Sequence, residues 1–222
     1  MYGAGKILIH PTCMFYVASA CNPALINEDW PIRASEGTHD LVDAVAVESL
    51  AGACLSKDPE LNITILRPCN VLGPGVRNTM SLLLARCLAP GADRLRADDA
   101  VPARRLLHVD DMAEAVVLAF ERNHPGIYNA APGNDDAYQT TVDVCDGRRL
   151  PIPSIPPPLQ HLWSAMLNWN AFFLPHRINF PRCPVIVDGR LFRERFAWNP
   201  RRSPHDIFGY YRRQKALQGP LG

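Results

Sequence analysis

Two segments of this 222-residue chain gather the side chains best suited to holding a ligand. Thr64-Ile-Leu-Arg-Pro-Cys-Asn-Val-Leu-Gly-Pro-Gly75 reads as a buried strand that runs into a turn-rich loop. It carries one guanidinium, Arg67, and one carboxamide, Asn70. Leu106-Leu-His-Val-Asp-Asp-Met-Ala113 reads as a short strand that stops at an aspartate and becomes an apolar helix. Arg104 and Arg105 lie just before it, and a guanidinium is suited to bidentate contacts with phosphate oxygens. Open α/β sheets place their ligands at strand ends of this kind, beside helix starts.

The elements that must position these groups follow from hydrophobic periodicity. Lys6 to His10 is a short apolar strand ended by Pro11. From Asp40 to Lys57 apolar residues recur at three- and four-residue spacing, which predicts a helix. Thr38 or Asp40 can cap its start, and Asp58-Pro59 stops it. Asn62 to Leu66 is the next strand, so strand, helix and strand form a βαβ unit with parallel pairing. Helices are expected over 79–88 and, capped by Asp110 or Asp111, through Phe120 and Arg122. Ile127 to Asn129 is a third buried strand. Residues 151–158 read as a stiff proline-rich connector, followed by an aromatic helix over 159–173. The tail is a turn at 196–200 and a basic amphipathic helix from Pro204 to Lys215.

Bulk composition narrows the function classes. A net charge of +1 with 20% charged residues advertises neither nucleic acid nor an anionic membrane surface. The 7 cysteines are scattered, with no Cys-x-x-Cys pair and no histidine spacing suited to zinc, so no metal site is expected. An odd, dispersed set of thiols and a start without an apolar leader lead to the expectation of a cytoplasmic protein. The most apolar segment, Leu162 to Leu174, includes Asn168 and Asn170 and falls short of the roughly 20 apolar residues needed to span a bilayer. A core or lid helix is the expected role, and no membrane partner is.

The Arg67-Pro-Cys-Asn70 to Gly75 segment and the His108-Val-Asp-Asp111 segment together resemble the extended short-chain dehydrogenase/reductases, the NAD-dependent epimerase/dehydratase family. The resemblance runs from about Lys6 to Lys215. It implies an α/β fold: a partial Rossmann-like (doubly wound) parallel sheet over 1–132, with 76–100 inserted into a mixed α/β C-terminal substrate lobe that otherwise spans 133–222. Ile7 to Tyr16 matches the family strand that ends in a catalytic Ser or Thr, which implies that role for Thr12. The alternative is a threonine that only caps the strand end. Pro68 corresponds to a residue that approaches the nicotinamide, and Asn70 to one that contacts a nucleotide-sugar phosphate. A turn former bonding its own backbone is the other reading of Asn70. Arg104 matches an arginine that grips the nucleotide diphosphate, with Arg105 as the competing assignment, and Arg177 or Arg182 falls where relatives place a second one.

The same resemblance exposes what is missing. The family's Tyr-x-x-x-Lys-x-x-x-Glu helix aligns through Glu48, which puts Ala44 at the lysine and Asp40 at the tyrosine. In that pair the ammonium lowers the phenol pKa so that the phenolate can act as a base. Tyr2-x-x-x-Lys6 fits by letter but precedes a strand instead of riding a helix. No Gly-x-x-Gly-x-x-Gly turn occurs to hold the NAD pyrophosphate. The family uses NAD; none is expected to bind this chain alone. Three readings follow: an epimerase/dehydratase-family protein, truncated or degenerate, with a partial nucleotide-sugar site; a non-catalytic interaction or binding protein that forms a homodimer or meets a partner chain through helix 40–57; or an unrelated catalyst using a residue such as Asp40.

Overall fold

The computed structural model describes residues 5–16, 21–32, 41–58, 60–78, 81, 95–96, 105–133, 150–151 and 185–218. Three parallel strands form the main sheet: β1 (Ile7–Ile9), β2 (Ile63–Pro68) and β6 (Gly126–Ala130), in the order β1-β2-β6. Ile7 pairs with Ile63, and Thr64 through Pro68 pair with Gly126 through Ala130. All six residues of β2 are buried, as expected for a central parallel strand covered on both faces. Between β1 and β2 the chain forms α1 (Val42–Lys57), so the βαβ unit read from the sequence is present. The α/β class with a Rossmann-like parallel sheet is correct.

Alternation along β2 divides the core. Ile63 and Ile65 point to α1 and pack with Ala51, Cys54 and Leu55. Leu66 faces the other way, into a larger cluster with Tyr16, Tyr128, Phe192, Phe196 and Trp198. That cluster is closed by α2 (Val109–Glu121), through Met112, Ala115 and Ala119, and by α3 (Arg190–Phe196). The result is three layers, helix, sheet and helix.

Two smaller parallel pairs lie outside this sheet. Residues Asn70–Leu72 form β3, which pairs with β5 (Leu106–His108) in the register Asn70 to Leu106. The residues after Pro68, expected as loop, thus begin with a strand. A three-residue strand is defined by its distant partner, which local sequence does not reveal. The other pair joins β4 (Leu95–Arg96) to β7 (Leu150–Pro151). Against β3 and β5 packs α4 (Pro204–Gln218), through Ile207, Phe208 and Tyr211. Two glycines make the intervening turn: Gly73 has φ 133° and Gly75 φ 75°, the region that favours residues without a Cβ. The Tyr211 hydroxyl holds that turn, accepting from Gly73 N at 3.2 Å.

The start of α2 departs from expectation in an informative way. Its cap is His108, whose Nδ1 accepts from Asp110 N at 3.1 Å, instead of Asp110 or Asp111. Asp111 is buried, and its carboxylate accepts from the backbone N–H groups of Arg201 and Arg202, both at 3.0 Å. The aspartate that reads as a local cap instead ties the chain entering α4 to the end of β5. A ring nitrogen was free to cap, so the carboxylate could serve a longer-range bond. Leu41 caps α1 without a side-chain bond; Thr38 and Asp40 lie outside the described residues, as do the expected helices over 79–88 (Ser81 apart) and 159–173. Of the expected connector, only Pro151 is described, and it belongs to β7.

Candidate functional site

At the carboxyl ends of the three parallel strands, where such sheets hold ligands, the chain has placed a buried polar network of its own. Arg67, near the end of β2, is 3% exposed. Its Nε donates to Glu48 Oε1 at 2.6 Å, and its Nη2 forms an ion pair with the same oxygen. Nη1 donates to the Tyr16 hydroxyl at 2.5 Å and to the Glu28 carbonyl at 3.2 Å. The guanidinium also lies 5.1 Å from the Tyr16 ring centroid, within cation–π range. Tyr16 in turn donates to Asn129 Oδ1 at 2.9 Å, and Asn129 N donates to Glu28 Oε1 at 2.8 Å. Buried charges persist only when paired and hydrogen-bonded, and this guanidinium is both. The Glu48 Oε2 atom is the exception, buried with no hydrogen-bond partner.

The network joins α1, the turn after β1, β2, the 26–30 segment and β6. Its chemistry is that of a fastener. Burial pushes the Tyr16 phenol up to about 12, with the Arg67 charge opposing that shift only in part. A phenol held there keeps its proton at neutral pH and cannot act as a general base. The folded state therefore retains the Tyr16 proton over pH 10–12, where the unfolded chain loses it. Stability falls across that window by roughly 2–3 kcal/mol. Absorbance titration of tyrosinate is expected to show a component near pH 12 that Tyr16→Phe removes; persistence of that component in the variant would assign it to another phenol.

Beside the end of β1 an open cleft of roughly 340 Å³ is lined by Ile9, His10, Pro11, Asp43, Ala44 and Val47. Thr12 does not line it. Its Oγ1 accepts from Met14 N at 3.3 Å, at the start of the 3₁₀ turn Cys13–Tyr16. That bond occupies a lone pair and leaves the hydroxyl proton available to donate.

The remaining sequence-derived positions separate by burial. Pro68 is buried and pairs with Ala130. Cys69 is buried as well, and burial raises its thiol pKa well above the usual range, so it is no nucleophile at neutral pH. Asn70 is half-buried, and its Nδ2 lies 3.5 Å from the Arg105 carbonyl, at the outer limit of a hydrogen bond. Arg105 is 3% exposed and donates Nη1 to the Val187 carbonyl at 2.7 Å. It is committed to the core. Arg104, Arg177, Arg182 and Asp40 lie outside the described residues. Tyr16, Glu28 and Asn129 escaped the sequence reading. The available signal was Arg67 itself, a charge in an apolar strand that has to find partners.

The sequence model of the NAD dependent epimerase/dehydratase family matches residues 44–131, which include all but the first two residues of α1, strands β2 to β6, and α2. Residues 44–131 belong to that family. An uncharacterized protein of Mycobacterium tuberculosis is 26% identical over 216 residues, covering 96% of this chain and 55% of that protein. The chain thus spans about half the length of the curated relatives it matches. Among solved structures, the UDP-glucose 4-epimerase of Thermotoga maritima, with UDP-glucose, superposes with a TM-score of 0.67 at 17% identity, over 97% of this chain and 65% of that one. The dTDP-glucose 4,6-dehydratase of Bacillus anthracis, in complex with NAD, gives 0.65 at 13% identity, over 96% and 62%. At these identities the likeness is one of fold.

Glu48, the residue through which the family motif is aligned by sequence, points into the core onto Arg67. Ala44, one turn earlier on α1, lines the cleft. Described His, Cys, Asp and Glu side chains form no cluster able to hold a metal ion, and no described helix is long and apolar enough to cross a membrane.

Proposed function

We propose that this chain is a truncated or degenerate epimerase/dehydratase-family protein that retains part of a nucleotide-sugar site and does no catalysis alone. The observation that carries this reading is Ala44. It faces the cleft from the helix position where the family keeps its lysine, and a methyl group cannot lower the pKa of a neighbouring phenol or move a proton. The substrate side fares better, with Asn70 half-buried at the start of β3 beside the Arg105 backbone. Arg104, Arg177 and Asn70 are the proposed diphosphate-binding groups, Thr12 the remnant of the catalytic hydroxyl and Pro68 the remnant of the nicotinamide wall. The division proposed with this reading is a core over 1–132, with 76–100 inserted into a substrate lobe that otherwise spans 133–222, and a cytoplasmic location is part of the same reading.

A titration of UDP or dTDP followed by protein NMR tests it. Shifts are expected at Asn70 and its neighbours, with weak affinity that falls as salt rises. Loss of a charge-assisted hydrogen bond costs roughly 1.5–3 kcal/mol, so Arg104→Ala is expected to weaken binding about tenfold to a hundredfold. NAD in place of the nucleotide is expected to leave the spectrum unchanged. A wild-type spectrum that ignores UDP and dTDP would remove the ligand site. The second reading, a binding or interaction protein acting through helix 40–57, draws support from the exposure of Val42, Val47 and Leu50 on α1.

A further inference from the structure

Helix α2 carries a second apolar face. Met112, Ala115 and Ala119 point into the core, yet Val117 is 51% exposed and Phe120 61%. Ala113 is exposed too, so residues 113, 117 and 120 make one stripe at helical spacing along the outer side of the helix. Half-buried Val116 borders it on one side. The other border is charged: Asp110 pairs with Arg202 at 3.5 Å, Glu114 pairs with Arg201 at 3.2 Å, and Glu121 ends the row. Glu121 is exposed and forms no ion pair among the described residues. The Arg201 side chain is 78% exposed and that of Arg202 53%, and each guanidinium has donors beyond the one its own carboxylate uses.

We propose that this stripe is the docking surface for a second copy of the chain, in an antiparallel pair of α2 helices about a twofold axis beside Val116 and Val117. In that register the Phe120 ring of each copy lies over the partner's Ala113, large against small, and Val117 meets the partner's Val116. Charge complementarity selects both the occupant and the orientation. The twofold stands perpendicular to the plane of the two helices and keeps both charged borders on one side. Glu121 of each copy then comes level with the first turns of the other helix, where Arg201 and Arg202 project. A parallel pair would put the two Glu121 residues level with each other, a helix length from either arginine. Thirteen residues make a helix only about 20 Å long, so the pair buries less than the roughly 800 Å² per partner of a standard interface, and the dimer is weak and reversible. The surface is on the opposite side of the sheet from α1 and uses none of the groups assigned to the nucleotide.

Sedimentation of the full chain over a wide range of concentration tests this. The expected result is a monomer–dimer equilibrium that Phe120→Gln weakens about tenfold or more. The position is exposed and glutamine is a good helix former, so the variant keeps its fold. Exchanged charges test the orientation. Glu121→Arg alone and Arg201→Glu alone are each expected to weaken the dimer, because like charges then meet at both ends. Mixed in equal amounts, the two variants are expected to associate as the wild type does, since each end of the mixed dimer again joins an arginine to a glutamate. A chain that stays monomeric at every concentration overturns the proposal, and so does a dimer indifferent to Phe120→Gln; a dimer lost with Leu50→Asp instead belongs to α1. A mixture of the two charge variants that associates no better than either alone overturns the antiparallel pairing.

Discussion

Arg67→Ala is expected to cost about 3–5 kcal/mol of stability, the range for removing one partner of a buried ion pair. The substitution leaves the Glu48 carboxylate, 1% exposed, with neither counter-charge nor donor. It also removes the donor to Tyr16 and to the Glu28 carbonyl, so three elements lose their common anchor. Domains of this size are typically stable by only about 5–15 kcal/mol, so the variant is close to unfolding at room temperature. In urea, with a slope of about 2 kcal/mol per molar, the midpoint is expected to fall by roughly 2 M. Arg67→Met combined with Glu48→Leu removes both charges and fills the space with apolar atoms; this pair is expected to lose far less than Arg67→Ala alone. Equal losses in the single and double variants would mean that Glu48 is not held as a buried charge.

The same network marks the boundary of what the sequence makes legible. The strands around Ile7, Ile63 and Ile127 and the helix ending at Lys57 are written in local apolar patterns, and each forms where those patterns put it. Glu48, Arg67, Tyr16 and Asn129 are separated by 19 to 113 residues, and their meeting is decided by strand order alone. Helix α3 is missed for a related reason. Arg-Leu-Phe-Arg-Glu-Arg-Phe is seven residues long, with Phe192 and Phe196 as its only buried side chains, too short to stand out from the charge around it. The candidate site is legible only as a family pattern. Asn70 is half-buried at the start of β3, a placement compatible with its proposed role, whereas Arg105, a neighbour indistinguishable from Arg104 by type, is spent on the Val187 carbonyl.

Gly189→Ala is the other change with a large expected effect, and nothing in the sequence announces it. Gly189 has φ −93°, a conformation open to any residue, so backbone freedom is not the issue. Space is. A Cβ there would stand 2.3 Å from the Ala131 carbonyl oxygen and 2.7 Å from the Ala131 nitrogen, both backbone atoms that cannot rotate aside. That oxygen already accepts from Arg193 Nη1 at 2.8 Å, a bond the methyl group would also displace. Relief requires α3 to lift from the sheet, which pulls Phe192 and Phe196 away from Tyr128 and Trp198, with which they make edge-to-face contacts at 5.1–6.0 Å. Overpacking costs about 1–3 kcal/mol where side chains can adjust; with rigid backbone on one side, a loss at or above the top of that range is expected. For a chain of this length that lowers Tm by roughly 6–12 °C. Near-ultraviolet dichroism should weaken in parallel, because the aromatic cluster loses its fixed geometry. Gly52→Ala is the matched control: a Cβ at Gly52, inside α1, meets nothing within 4 Å, and alanine in a helix interior is expected to stabilise by about 0.5–1 kcal/mol. If Gly189→Ala melts with the wild type while Gly52→Ala behaves as expected, α3 does not sit against Ala131 as described, and the aromatic cluster must close the core in some other way.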